Sequence, residues 1–207
     1  NNSYSTSEKL YKDCIKLFII TIVAGLALGF VYNVTKEPIA KQEELAKQEA
    51  YQAVFADAAS FADVDYEDSD IQAVCDKNGL TGITMNEIMA AKDASGNQIG
   101  YVFNVTTSEG YGGDIQLAVG VQTDGTLNGY DTLSIGETAG LGMNATTDAF
   151  KNQYKGIKAK QLTVVKDGTG SQSDEKIDAI SGATITSRAV TSAVNACLAY
   201  TAEEGGK

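Results

Sequence analysis

The sequence predicts an α+β domain, an antiparallel sheet with packed helices, preceded by one N-terminal transmembrane helix. Three observations carry the prediction. An unbroken apolar run stands near the N-terminus, β-rich segments then follow one another across short turns, and a helix-forming segment closes the 207-residue chain.

The apolar run, residues 15–34, reads IKLFIITIVAGLALGFVYNV, and no charged residue separates Lys16 from Lys36. About 20 such residues at a rise of ~1.5 Å each cross a hydrocarbon core of roughly 30 Å. No A-x-A-like cleavage site follows, so the run reads as an uncleaved anchor. A lipoprotein cysteine would follow its apolar run, whereas Cys14 precedes this one. Gly25 and Gly29 form a G-x-x-x-G that suits close approach by another helix. Lys9, Lys12 and Lys16 crowd the N-terminal flank, while Lys36, Lys41 and Lys47 on the far side are mixed with Glu37, Glu43, Glu44 and Glu49. The positive-inside rule counts lysine and arginine, which places the N-terminus in the cytoplasm and the large domain outside the cell (inner) membrane. The expected division is therefore 1–14 cytoplasmic, 15–34 spanning, 35–56 a stalk helix and 57–207 an extracytoplasmic domain.

Pro38 suits the first turn of that stalk helix. The segment 39–55, IAKQEELAKQEAYQAVF, is rich in Ala, Glu, Gln and Lys, all good helix formers. Strands are expected at 83–91, 99–107, 115–122 and 127–135. Asp93-Ala94-Ser95-Gly96-Asn97 supplies turn chemistry, and Asp124-Gly125 marks a hairpin. Short connections imply antiparallel pairing. A helix over 147–154, a strand over 161–165 and a helix over 187–200 complete the pattern.

Composition removes several function classes. The net charge is -11 and the pI about 4.4, so a nucleic-acid phosphate backbone would be repelled. There is no His, which argues against a zinc hydrolase or a Ser-His-Asp hydrolase. Cys14, Cys75 and Cys197 show no C-x-x-C spacing, against an Fe–S or thioredoxin-like site. A Cys75–Cys197 disulfide and two free thiols are both open. The acidic run from Asp63 to Asp70 lacks the spacing of a calcium loop and reads as a solvated loop.

The most informative stretch is DAISGATITSR, Asp178 to Arg188, four hydroxyl side chains in seven residues just before the last helix. Ser187 suits the N-cap, with Thr184 and Thr186 as alternatives. A helix N-terminus offers unpaired N–H groups and the positive end of a dipole. Gly182 lets the backbone approach a ligand, Ala183 adds little bulk, and Arg188 adds a positive charge. Together these suit a phosphate-bearing ligand, although Ser and Thr also cap helices that bind nothing. Two glycine-rich stretches accompany the cluster: Glu109-Gly110-Tyr111-Gly112-Gly113-Asp114 between two strands, and Glu137-Thr138-Ala139-Gly140-Leu141-Gly142 after the hairpin.

Ser181-Gly182-Ala183-Thr184-Ile185-Thr186 resembles the S-G-A-T-x-T flavin-attachment motif of the covalent FMN-binding domain family. That domain occurs in the G subunit of the Rnf electron-transport complex and the C subunit of the sodium-pumping NADH:quinone reductase. The G-Y-G-G and E-T-x-G-L-G loops are similar to the family as well. The resemblance implies FMN joined by a phosphodiester to Thr186, with Ser181, Gly182, Ala183, Thr184 and Ser187 around the attachment point. It also implies contacts from Tyr111, Gly112, Gly113, Glu137, Thr138, Gly140, Leu141 and Gly142, with Tyr111 and Leu141 packing on the flavin ring. The family often has His and Pro where this chain has Ile135 and Ala139. No residue is expected to be catalytic and no metal site is expected. The implied function is an electron relay within an Rnf-type ferredoxin:NAD oxidoreductase coupled to Na⁺ or H⁺ translocation. The partners implied are the other subunits, the bilayer and a flavin transferase that takes FMN from FAD. The alternatives are the C subunit of the quinone reductase and an anchored extracellular binding module without cofactor.

Overall fold

The computed structural model describes the backbone of residues 2–204 and the side chains of residues 11–204; the side chain of Lys9, one of the lysines flanking the span, lies outside the described residues. The chain divides into two compact units, Asn1–Leu45 and Ala46–Lys207.

The first unit is the larger part of one helix, α1, Asn2–Val54. Its most apolar 18-residue window has a mean hydropathy of 2.5, and none of that window is buried within the chain. Leu17, Phe18, Leu26, Leu28 and Phe30 project outward all round. A helix apolar on every side and covered by nothing of its own has the length and composition of a membrane span. Pro38 does not start a second helix. It lies inside α1, which runs through it without interruption. The good helix formers after it carry the helix on, although the ring removes the hydrogen bond to the Val34 carbonyl.

In the second unit, β1 (Ser60–Asp63), β2 (Ile83–Lys92), β3 (Gln98–Thr107), β4 (Ile115–Gln122) and β5 (Leu127–Ile135) form one antiparallel sheet in chain order. Helix α2 (Asp68–Lys77) lies between β1 and β2, and the 21-residue α4 (Thr184–Glu204) closes the chain. Ile88, Phe103, Val105, Leu117, Val119 and Tyr130 point from one sheet face into a core shared with Ile71 and Cys75 of α2 and with Val190, Val194 and Leu198 of α4. On the opposite face Ala91, Val102 and Ala118 pack against Ala50, Tyr51, Val54 and Phe55, the end of α1 and the residue after it. Gly120 makes that approach possible, because a Cβ there would stand 2.5 Å from the Val54 carbonyl oxygen.

Several elements depart from the sequence reading. The acidic run is not a loop throughout: Asp63 ends β1, and Asp68 and Asp70 occupy the first turn of α2, where the positive end of the dipole favours them. The helix expected over 147–154 is one α-turn, α3 (Asp148–Lys151), continued as a 3₁₀ turn, Asn152–Tyr154. The strand expected over 161–165 shrinks to β6 (Thr163–Val165), which pairs in parallel with β7 (Lys176–Asp178). The last helix begins at Thr184 and ends at Glu204, three residues earlier and four later than expected. Cys75 and Cys197 are free thiols buried in one core, and burial raises both above the ordinary thiol range.

The sheet's edge strands are β1 and β5. β1 has four residues, and the outer side of β5 meets Ile157 through a bridge in which the Leu127 amide donates to the Ile157 carbonyl at 2.8 Å.

Candidate functional site

The two glycine-rich loops and the start of α4 come together at one end of the sheet. Loop 108–114 joins β3 to β4, and loop 136–142 follows β5. They touch backbone to backbone: a Cβ on Gly112 would collide with the Gly136 carbonyl oxygen. The buried Glu137 carboxylate ties them further, its Oε1 accepting the Tyr111 amide at 2.7 Å. The second loop then curls over itself, with the Leu141 and Met143 amides both donating to the Thr138 carbonyl at 3.1 Å. A 3₁₀ turn, Gly142–Thr146, follows and is anchored to the sheet by the Tyr130 hydroxyl, which donates to the Ala145 carbonyl at 2.6 Å.

These pieces enclose a cavity of about 580 Å³. Tyr111, Glu137, Thr138, Leu141 and Gly142 line it from the loops. Gly182, Ala183, Thr184, Ile185 and Thr186 line it from the start of α4. Tyr111 is 72% exposed, and Leu141 and Ile185 are also exposed, so three apolar side chains surround the mouth. Thr186 is different. It is 1% exposed, yet it lines the cavity and its hydroxyl has no hydrogen-bond partner among the described residues. Further along α4 the Thr191 and Thr201 hydroxyls donate to the carbonyls of Ser187 and Cys197 at 2.8 and 2.9 Å, the usual fate of a buried helical threonine.

The amides of Thr184, Ile185 and Thr186 also have no acceptor among the described residues. They are the orphan donors of the helix start, at the positive end of a 21-residue dipole. Gly182, with φ +76°, turns the chain into the helix in a conformation that other residues adopt at a cost.

Not every residue named from the sequence reaches the cavity wall. Ser187 is buried and does not cap the helix. Its oxygen accepts the Ile180 amide and donates to the Ala183 carbonyl, both at 2.9 Å, which holds the turn ahead of α4. Gly112, Gly113, Gly140 and Ser181 lie in the same loops without lining the cavity. Arg188 lines a different depression, with Gln161, Val164 and Asn195, so its charge does not face the Thr186 hydroxyl. Ile135 is partly buried against the core, and neither it nor Ala139 lines the cavity. Ile185 was missed by sequence reasoning. Its only signal was an apolar residue between two threonines in the first turn of a helix.

A second cavity, of about 530 Å³, lies beside β7. Several of its polar groups are engaged: the Gly170 amide donates to Asp178 Oδ1 at 2.9 Å, and the Asp178 amide to Gln153 Oε1 at 2.8 Å. It lacks the start of a long helix, which in the first cavity brings a free hydroxyl and three free amides together.

The residues of the first cavity fit FMN. The volume is in the range of cofactor pockets, the mouth is apolar for a flat ring, and the free donors stand where a phosphoryl group is best held.

Comparison with known proteins agrees with this geometry. The family described as FMN-binding domain matches residues 110–199, a span that opens on the first glycine of the G-Y-G-G loop and closes within α4. The G subunit of the Na⁺-translocating ferredoxin:NAD⁺ oxidoreductase complex of Acetobacterium woodii is 33% identical over 187 residues, 90% of this chain and 88% of that one. The G subunit of the proton-translocating ferredoxin:NAD⁺ oxidoreductase complex of Clostridium ljungdahlii is 33% identical over 209 residues, 95% and 98% of the two chains. The G subunit of the ion-translocating oxidoreductase complex of Methanosarcina acetivorans is 29% identical over 206 residues, 98% and 100%. The chain belongs to the family of G subunits of ion-translocating oxidoreductase complexes, membrane-anchored proteins with an FMN-binding domain.

Proposed function

We propose that this chain carries electrons as the G subunit of an Rnf-type ferredoxin:NAD oxidoreductase coupled to Na⁺ or H⁺ translocation, with FMN joined to Thr186 by a phosphodiester. The observation that supports attachment is the Thr186 hydroxyl itself, buried at the cavity wall and without an internal partner among the described residues. FMN supplies the uptake and release of electrons. The protein's share is placement. The three free amides would hold the phosphodiester, each exposed contact of that kind contributing about 0.3–1 kcal/mol. Tyr111, Leu141 and Ile185 give the ring an apolar seat, and Glu137 fixes the loop that presents Tyr111.

A threonine hydroxyl is a weak nucleophile at neutral pH, and the chain has no His. Attachment uses a separate, metal-dependent flavin transferase, which brings FAD to the site. α1 anchors the chain in the inner membrane with its N-terminus in the cytoplasm, and the FMN domain stands outside, beside the other subunits of the complex.

Protein made in a host with the transferase is expected to stay yellow after denaturation. It should gain the mass of one FMN phosphoryl group on the peptide containing Thr186. Thr186→Ala should lose that mass while folding normally. Covalent flavin retained in this variant would refute the assignment.

A further inference from the structure

The geometry points to Glu137 as the general base that takes the Thr186 proton when flavin is attached; the inference rests on the attachment proposed above. Four observations lead there. The Glu137 carboxylate is buried and lines the cavity, and its Oε1 is engaged by the Tyr111 amide at 2.7 Å. Its Oε2 has no hydrogen-bond donor among the described residues, just as the Thr186 hydroxyl has no acceptor. Both oxygens border one space in front of Gly142, too small for a methyl: a Cβ built on that glycine would stand 2.5 Å from Glu137 Oε2 and 2.8 Å from Thr186 Oγ1. Of the residues lining the cavity, Glu137 is the one carboxylate.

A spare acceptor and a spare donor thus meet over a glycine that leaves the space between them clear. The same contact with Tyr111 that keeps the loop in place fixes the carboxylate, so its second oxygen is held for the proton rather than free to rotate away.

The step balances. Thr186 Oγ1 forms a bond to the flavin-side phosphorus of a flavin dinucleotide, and the phosphoanhydride bond to the nucleotide half breaks. AMP leaves with that electron pair, and the threonine proton passes to Glu137 Oε2. No oxidation or reduction occurs. Glu137 takes the proton when the two oxygens close across the space in front of Gly142, and it serves maturation rather than electron transfer. General bases of this kind accelerate a step by about 10²–10⁴-fold.

The test uses the full-length chain with purified flavin transferase, FAD and Mg²⁺, and follows mass gain on the Thr186 peptide with time. Glu137→Gln keeps an oxygen for the Tyr111 amide and removes the base. Its rate of mass gain should fall at least tenfold with an unchanged melting temperature. Glu137→Ala should be equally slow and should recover in proportion to added formate, which a merely structural role would not produce. A wild-type rate in Glu137→Gln would show that the transferase supplies the base. A slow Glu137→Ala that formate does not rescue would reduce Glu137 to a positioning residue. Either result overturns the inference while leaving attachment at Thr186 intact. Absence of mass on Thr186 in the wild-type chain instead removes the attachment proposal, and this inference with it.

Discussion

Gly142 is the tightest of the glycines that line the cavity, and replacing it with Ala tests the packing argument directly. The new methyl would stand 2.5 Å from Glu137 Oε2, 2.7 Å from Glu137 Cβ and 2.8 Å from Thr186 Oγ1. All three are closer than real carbon contacts. The Glu137 head group cannot simply swing aside, because Tyr111 holds its other oxygen and its own Cβ is one of the clashing atoms. Overpacking of this kind costs about 1–3 kcal/mol. For a unit of this size each kcal/mol lowers the melting temperature by roughly 2–4 °C, so a fall of about 2–12 °C is expected. Gly140→Ala is the matched control. It sits two residues away at φ +74° with no atom within 4 Å of its Cβ, so it incurs about 1–2 kcal/mol of backbone strain without entering the cavity. Thermal melts followed by circular dichroism, together with mass measurement of attached flavin, separate the two. Both variants should melt earlier, and only Gly142→Ala should lose flavin loading. Normal loading of Gly142→Ala at the wild-type melting temperature would refute the reasoning.

Three further outcomes follow from the packing. Asn195 lies in α4 and clasps Leu162, its Oδ1 accepting the Leu162 amide at 2.8 Å and its Nδ2 donating to the Leu162 carbonyl at 3.0 Å. Asn195→Ala should cost about 1–3 kcal/mol per orphaned group in urea denaturation, and Asn195→Asp at least as much, since its second oxygen would face the Leu162 carbonyl and bury an unpaired charge. In acid, Asp124 is held down to about 2, chiefly by its hydrogen bond from Lys158 and then by those from Thr126, while Asp93 and Asp167 are lowered by turn hydrogen bonds. Their folded values lie below their unfolded ones, so their stabilisation is complete above the ordinary carboxylate range and fades as pH falls toward 2. Melting temperatures should drop across that window, and Asp124→Asn should flatten the drop. Finally, a chain beginning at Ala46 should appear in the soluble fraction after carbonate extraction, whereas the full chain should stay with the membrane.

Much of this arrangement was readable in the residues. The β4 and β5 boundaries fall where alternation and Asp124-Gly125 put them, because a hairpin needs the positive φ that Gly125 adopts, +84°. α2 was hidden by its own charges. Its apolar residues Ile71, Val74 and Cys75 have the i, i+3, i+4 spacing of a buried stripe, but the acids before them suggested a loop. β1 and β7, at four and three residues, are too short for a pattern, and only tertiary pairing defines them. The cavity's glycine loops were legible because each close backbone approach demands a residue without a side chain. Arg188 was placed wrongly for a geometric reason. Two residues along a helix rotate a side chain by about 200°, so a neighbour of Thr186 in sequence faces another depression in space. Ser187 fails as a cap because the helix starts three residues before it.

β1 offers only four residues to another strand, and the first residue of β5 is already bridged to Ile157. That matters more for an anchored protein than for one free in solution. Copies confined to a bilayer diffuse in two dimensions and meet often at a fixed depth, conditions that would turn any sticky margin into a seed for stacking. A sheet with one very short edge strand and a pinned corner on the other gives such neighbours less to grip.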